Sequence, residues 1–200
     1  MLAVIYILAA AVGFLTFIVL PYDMWLNLLI ADLIATAIVF IFSMLFDNSS
    51  LFDPFWATSP LVILTAFCTG HEISWLNFLI MLALAMWSIR YLVNWVYAFR
   101  DIRRESDEYQ IIHDAVREGY PLVSLFCIHL VPSAITFACI LPAILVVERE
   151  GKLNVGYVAA LLVVIVALVL QGIADYQSRK FVHDGEQGFL KSGLWKKSRH

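Results

Sequence analysis

Residues 153–180 read Leu153-Asn-Val-Gly-Tyr-Val-Ala-Ala-Leu-Leu-Val-Val-Ile-Val-Ala-Leu-Val-Leu170-Gln171-Gly-Ile-Ala-Asp175-Tyr176-Gln177-Ser-Arg179-Lys180. From Leu153 to Ala174 no side chain is charged. At about 1.5 Å per residue a helix of that length crosses a hydrocarbon core roughly 30 Å thick. Charge returns at Asp175 and Arg179, where the chain leaves the apolar medium. This stretch alone predicts a membrane-spanning helix with polar groups at its mouth.

Five more apolar runs lie upstream. The spans predicted are roughly 2–20, 25–46, 58–70, 75–98, 121–147 and 153–175. The composition agrees. Hydrophobic residues make up 62% of the chain and mean hydropathy is +0.85, against roughly 45–50% apolar residues in soluble domains. The expected fold is an all-α polytopic transmembrane bundle of about six helices, forming a single integral-membrane domain over residues 1–200. The first run has no basic residues before it and meets Pro21-Tyr22-Asp23 without a small-x-small site, so it reads as a helix rather than a signal peptide. In the third run only Leu61 to Thr69 is clearly apolar. That predicts a helix that is tilted or covered by its neighbours. Pro132 and Pro142 predict a kink in the fifth. Cys68, Cys127 and Cys139 all fall in apolar runs. Their odd number and wide spacing give neither a disulfide framework nor a metal motif, and they are expected to be small buried packing residues.

The net charge of −3 shows no basic excess, so nothing points to nucleic acid. Lys and Arg near the helix ends predict orientation. Arg100, Arg103, Arg104 and Arg117 lie in the 99–120 connection; Arg179, Lys180, Lys191, Lys196, Lys197 and Arg199 lie in 176–200. Two helices separate these clusters, so both connections are expected on the cytoplasmic side. The helix count then puts the amino terminus and the 47–57 loop inside as well.

Chemistry-bearing residues gather at those same ends. Gln171, Asp175 and Arg179 share one helical face. A carboxylate accepts from ribose hydroxyls and an arginine grips phosphate; the same residues also read as an interfacial ion pair with a snorkelling arginine. Arg90 and Asn94 form a second i, i+4 pair, with Tyr91 beside them. Intramembrane ionisable groups usually face a protein interior or a wet cavity, and a phenol suits donation to a carbonyl, though an interface anchor is the plainer role. The 99–120 segment reads either as a solvated charged stretch or as a phosphate-gripping surface. Asp53-Pro54-Phe55-Trp56 through Pro60 predicts a rigid entry to the third span. His129 near Pro132 reads as a partner for a carbonyl freed by the proline. Asp32 and Glu72 show no partner in the sequence. No GxGxxG, Walker, GxSxG or HExxH signature occurs.

Five motifs in order resemble the steroid 5-alpha-reductase-like membrane reductases, especially their bacterial members of unassigned function. Ser50-Leu-Phe52-Asp53-Pro54-Phe55-Trp56-Ala-Thr-Ser-Pro60 is similar to their Ser-x-Tyr/Phe-Asp-Pro-Tyr/Phe-Trp block. Arg90-Tyr-Leu-Val-Asn94-Trp95 is similar to Arg-x-x-x-Asn-Trp. Glu105-Ser-Asp107-Glu108-Tyr109 and Arg117 are similar to Glu-Asp-x-Arg-Tyr with a following arginine. His129-Leu-Val-Pro132-Ser133 is similar to a His-Leu-x-Pro helix. Ala174-Asp175-Tyr-Gln177 with Gly193-Leu194-Trp195-Lys-Lys-Ser198-Arg199-His200 is similar to the tail, which in the family runs on into Pro-Asn-Tyr-Phe-Gly-Glu. Two positions depart from the pattern: Glu108 replaces an arginine and Gln171 an acidic residue.

The resemblance implies a helical bundle that holds NADPH from the cytoplasmic side. It reduces a carbon–carbon double bond conjugated to a carbonyl in a steroid, isoprenoid or other membrane lipid. It implies Tyr91 and Asp53 as catalytic residues, with Tyr91 as proton donor. It implies Asn94, Tyr109, Asp175, Arg179, Arg199 and His200 as cofactor ligands. It also implies that this chain lacks the C-terminal part of such a pocket. Two rivals remain. One is a membrane methyltransferase of the isoprenylcysteine or phospholipid type, using S-adenosylmethionine. The other is a non-catalytic scaffold. The pairing of Ala-Asp-x-Gln with Gly-Leu-Trp favours the reductase.

Overall fold

The computed structural model describes residues 2–69, 71–99, 101–185 and 188–198. All regular structure among them is helical: α1 (Leu2–Val19), α2 (Met24–Leu45), α3 (Asp53–Cys68), α4 (Trp75–Ala98), α5 (Asp107–Val116), α6 (Tyr120–Val123), α7 (Val131–Glu148) and α8 (Val155–His183). Short 3₁₀ turns cover Ser49–Phe52, Arg117–Gly119 and Gly193–Lys196, and a π-helical stretch, Ser124–Leu130, joins α6 to α7. Six of the helical stretches are long and apolar enough to cross a membrane, so the protein is a multi-pass membrane protein. Contacts divide the chain into two compact units, Met1–Gly151 and Lys152–His200, where the sequence reads as one domain.

In the first unit α3 is central. It packs against α2, α4 and α7 and buries Pro54, Ala57, Ser59, Pro60, Ile63, Leu64, Phe67 and Cys68. The short third run is therefore the one that neighbours cover, and it begins at Asp53 rather than near 58. Pro54 sits in the first turn, where a missing N–H costs nothing. Leu28, Ile63, Leu64, Phe67, Phe137, Ile140, Ile144 and Val147 form the core around it. Small residues bring α1 onto α2: a Cβ on Gly13 would stand 3.3 Å from the Ala35 Cβ and 3.4 Å from the Ala31 carbonyl oxygen. Polar ties cross the bundle as well. The Ser88 hydroxyl donates to the Ala57 carbonyl at 2.8 Å, joining α4 to α3. The Thr36 and Ser133 hydroxyls share a 2.7 Å bond between α2 and α7.

Burial corrects one expectation. Cys68 is buried, but Cys127 and Cys139 are exposed, and all three are free thiols. An apolar run in a membrane helix serves lipid-facing positions as well as core ones, so hydrophobic company does not imply burial in protein. The fifth span also differs in detail. It enters Pro132 through the π-helical stretch, with Pro132 in the first turn of α7 and Pro142 inside that helix. Such π turns mark inserted residues and often functional positions.

The second unit is α8 and the segment after it. α8 continues to His183, about two turns beyond the predicted end at 175. At about 1.5 Å per residue it outruns a hydrocarbon core, which leaves Asp175 and Arg179 on a helix that projects into the polar region.

Candidate functional site

Asp53 opens α3 and Tyr91 lies two turns before the end of α4, so antiparallel packing brings both to one end of the first unit. The 3₁₀ turn before Asp53 is tied to α1 by the Tyr6 hydroxyl, which donates to the Leu51 carbonyl at 2.9 Å. The Trp95 indole N–H donates to the Ser50 carbonyl at 3.2 Å, tying the turn to α4. Across this end lies α5, whose ten residues include Asp107, Glu108, His113 and Asp114 and of which none is buried. That composition keeps α5 out of the hydrocarbon. From it the Tyr109 hydroxyl reaches in and donates to Asp53 Oδ1 at 2.8 Å. Burial, and then the Asp53 carboxylate, hold the Tyr109 phenol well above the usual tyrosine range, so it keeps its proton at neutral pH. Tyr91 lies within electrostatic reach of Asp53, Glu108, Arg90 and Tyr109. Its ring packs edge-on to Trp56 with centroids 4.9 Å apart, and Trp87 lies on a third side at 6.3 Å. The structure thus brings Asp53, Tyr91 and Tyr109 together, while the predicted cofactor ligand Tyr109 has committed its hydroxyl to Asp53.

A buried polar clasp holds this arrangement. Asn48 Nδ2 donates to the carbonyls of Ile102 at 2.9 Å and Arg104 at 3.3 Å, while its Oδ1 accepts from Ser50 N at 3.0 Å. Ser49 N donates to Glu105 Oε1 at 2.9 Å, and Ser106 N donates to Ser50 Oγ at 2.9 Å. Glu105, only 4% exposed, also accepts from the Tyr120 hydroxyl. The partly exposed His113 Nδ1 lies 3.5 Å from Glu105 Oε2, and its ring stacks on Tyr120. Ser49 Oγ continues the chain to Ser124 Oγ at 3.0 Å. His129 is fully buried. Its Nδ1 lies 2.9 Å from the Ser124 carbonyl and its Nε2 lies 3.2 Å from Ser43 Oγ. The histidine does meet a backbone carbonyl, but in the π-helical stretch rather than one that Pro132 frees.

The motifs that carry the resemblance therefore interlock. The block around Asp53 is gripped by the block from Glu105 to Tyr109, some fifty residues on. Sequence reasoning missed Asn48, Ser49, Glu105 as an anchor, Tyr120 and Ser124. The only signal for them was their position beside quoted motifs.

In the second unit a similar lock explains the tail pattern. Leu194 N donates to Gln177 Oε1 at 3.0 Å, and the Trp195 indole N–H donates to the Ala174 carbonyl at 3.0 Å. Gly193 has φ +60°, and a Cβ there would collide with the Gln177 amide; only glycine adopts that conformation at no steric cost. Ala174 and Gln177 thus serve the lock. Asp175 and Arg179, half-buried, lie on a different face of α8 by helical geometry and both make further interactions. Asn94 is half-buried on α4 and also has partners. Arg199 and His200 lie outside the described residues.

Comparison with known proteins adds one finding. No curated protein and no solved structure matches this chain. A family model does match residues 39–200, described as a protein of unknown function, DUF1295. On that extent of match the chain belongs to the DUF1295 family.

Proposed function

We propose that the protein is an NADPH-dependent membrane reductase that saturates a double bond conjugated to a carbonyl in a lipid, steroid or isoprenoid. The observation that supports this most is the gathering of Asp53, Tyr91 and Tyr109 at one end of the bundle. Reducing such a bond places negative charge on the carbonyl oxygen, and a fixed hydroxyl donor there lowers the barrier. Tyr91 is that donor. Trp56 and Trp87 fix its ring, and Asp53 polarises the group. NADPH, when bound, supplies the hydride to the β carbon. Within the second unit, the Asp175 carboxylate suits accepting from the hydroxyls of a dinucleotide and the Arg179 guanidinium suits donating to its phosphates. The lock at Gln177 occupies the other face of α8.

The proposal puts the 99–120 and 176–200 segments on the cytoplasmic side, where their cations and the nucleotide both belong. Cysteines substituted for the exposed Arg103 and Lys191 in a cysteine-free background should resist an impermeant maleimide in intact cells. Labelling of either contradicts the sidedness. The chemistry is tested by Tyr91→Phe. With an accepted enone, turnover should fall on the order of 10²-fold while NADPH affinity is kept. Turnover within a few-fold of wild type removes Tyr91 from the mechanism.

A further inference from the structure

We propose that the turn after α8 is a contact for acidic lipids, with Lys196 and Lys197 reaching lipid phosphates at the edge of the hydrocarbon. This goes beyond the reductase reading and does not rest on it.

The uncharged run of α8 ends at Ala174, and Asp175 is the first charge after it. Ala174 therefore marks the level at which the helix leaves the hydrocarbon. The chain continues to His183 and then comes back. The Trp195 indole N–H donates to the Ala174 carbonyl at 3.0 Å, across twenty-one residues of sequence. Leu194 N donates to Gln177 Oε1 at 3.0 Å. These bonds hold the 3₁₀ turn Gly193–Lys196 beside the residues that leave the bilayer. Ending the helix does not require them. Asp184 N already donates to the Lys180 carbonyl at 2.9 Å, and Gly185 N to the Val182 carbonyl at 3.2 Å. What the return does is fix the level of the residues that follow Trp195.

Lys196 and Lys197 follow it directly, and both are exposed. Lys197 N donates to the Leu194 carbonyl at 3.0 Å, so the backbone that carries the two ammonium groups belongs to the turn. Long lysine stems lie along apolar surface while their heads stay in the polar layer. Two cations are thereby presented at the depth of the lipid phosphates. Half-buried Trp195 suits the same layer, where indoles gather at the headgroup level. The charge balance agrees. From Tyr176 to Ser198 the sequence carries Arg179, Lys180, Lys191, Lys196 and Lys197 against Asp184 and Glu186. A cationic segment at the bilayer edge attracts acidic lipid. Phe189 separates a membrane from a soluble anion as the partner. Its ring is 76% exposed, and a bilayer interface covers such a ring whereas a free phosphate does not.

Amide hydrogen exchange of the full chain in lipid nanodiscs tests this. Opening of the turn lifts both lysines from the surface, so acidic lipid should slow exchange over residues 190–198. In discs of phosphatidylcholine mixed with phosphatidylglycerol the slowing should be on the order of 10-fold relative to phosphatidylcholine alone, the scale of two lysines near an acidic surface. Raised salt should remove it, because the attraction is screened; this arm needs no variant. Lys196→Gln combined with Lys197→Gln should abolish the lipid dependence. Exchange of that variant in neutral discs should match wild type, since the bonds to Ala174 and Gln177 remain.

Equal exchange in the two kinds of disc overturns the proposal. Slowing that survives in the double lysine variant also overturns it and moves the contact to other cations. Slowing of the same size by inorganic phosphate in neutral discs overturns it in favour of a soluble anion. None of these arms involves NADPH or an enone, so their failure leaves the reductase reading untouched.

Discussion

Each of the two units contains a polar lock, and the two locks are built differently. The lock around Glu105 is buried and includes a carboxylate, two hydroxyls and several backbone groups. The lock around Gln177 is half-buried and wholly neutral, one amide and one indole against backbone. A buried lock leaves polar groups unpaired when one member is removed, because no water replaces it. A half-exposed lock loses only the net value of its bonds. The first behaves as a fixed frame for Asp53, Tyr91 and Tyr109. The second has the energetics of a local clasp that opens without unfolding its helix.

Glu105→Ala should break this comparison most severely. It leaves the Ser49 N–H buried and unpaired and the Tyr120 hydroxyl with Ser49 Oγ alone, a loss of about 3 kcal/mol, read as a lowered thermal midpoint in detergent. A midpoint within a degree or two of wild type would show that the buried lock is not a frame. Gly193→Ala should cost less, about 1–2 kcal/mol. It forces an alanine to a left-handed conformation and pushes the Gln177 amide off Leu194. The effect should appear as faster amide exchange over residues 190–198 with little change in α8. Gln177→Ala should cost about 1 kcal/mol, the worth of a single neutral bond, with the Leu194 amide exchanging faster. Equal effects from Glu105→Ala and Gln177→Ala would erase the distinction between the two locks.

The spans were legible because bilayer thickness fixes their length: 2–20, 25–46 and 75–98 correspond to α1, α2 and α4 within a residue or two. The third and sixth were placed less well. α3 starts at Asp53 because a 3₁₀ turn and Pro54 permit helix there, which hydropathy does not register. α8 runs to His183 because a polar helix continues in water as readily as an apolar one does in lipid. The exposed Cys127 and Cys139 were misjudged because hydropathy does not distinguish lipid from core. In the site, Asp53 and Tyr91 were named from motif resemblance, and their proximity is set by antiparallel packing. That Glu105 anchors Ser49, fifty-six residues away, was not legible, since no local spacing encodes a contact between distant loops. Tyr109 was named with the cofactor ligands from motif resemblance; in the structure its hydroxyl donates to Asp53.

The central claim is nucleotide binding, and titration of the purified protein with NADPH tests it most directly. The account predicts saturable binding that Arg179→Ala weakens by about 1.5–3 kcal/mol, the scale of a charge-assisted bond, with the fold intact. Binding of S-adenosylmethionine in place of NADPH would contradict it in favour of methyl transfer. Binding of neither would leave the chain a scaffold.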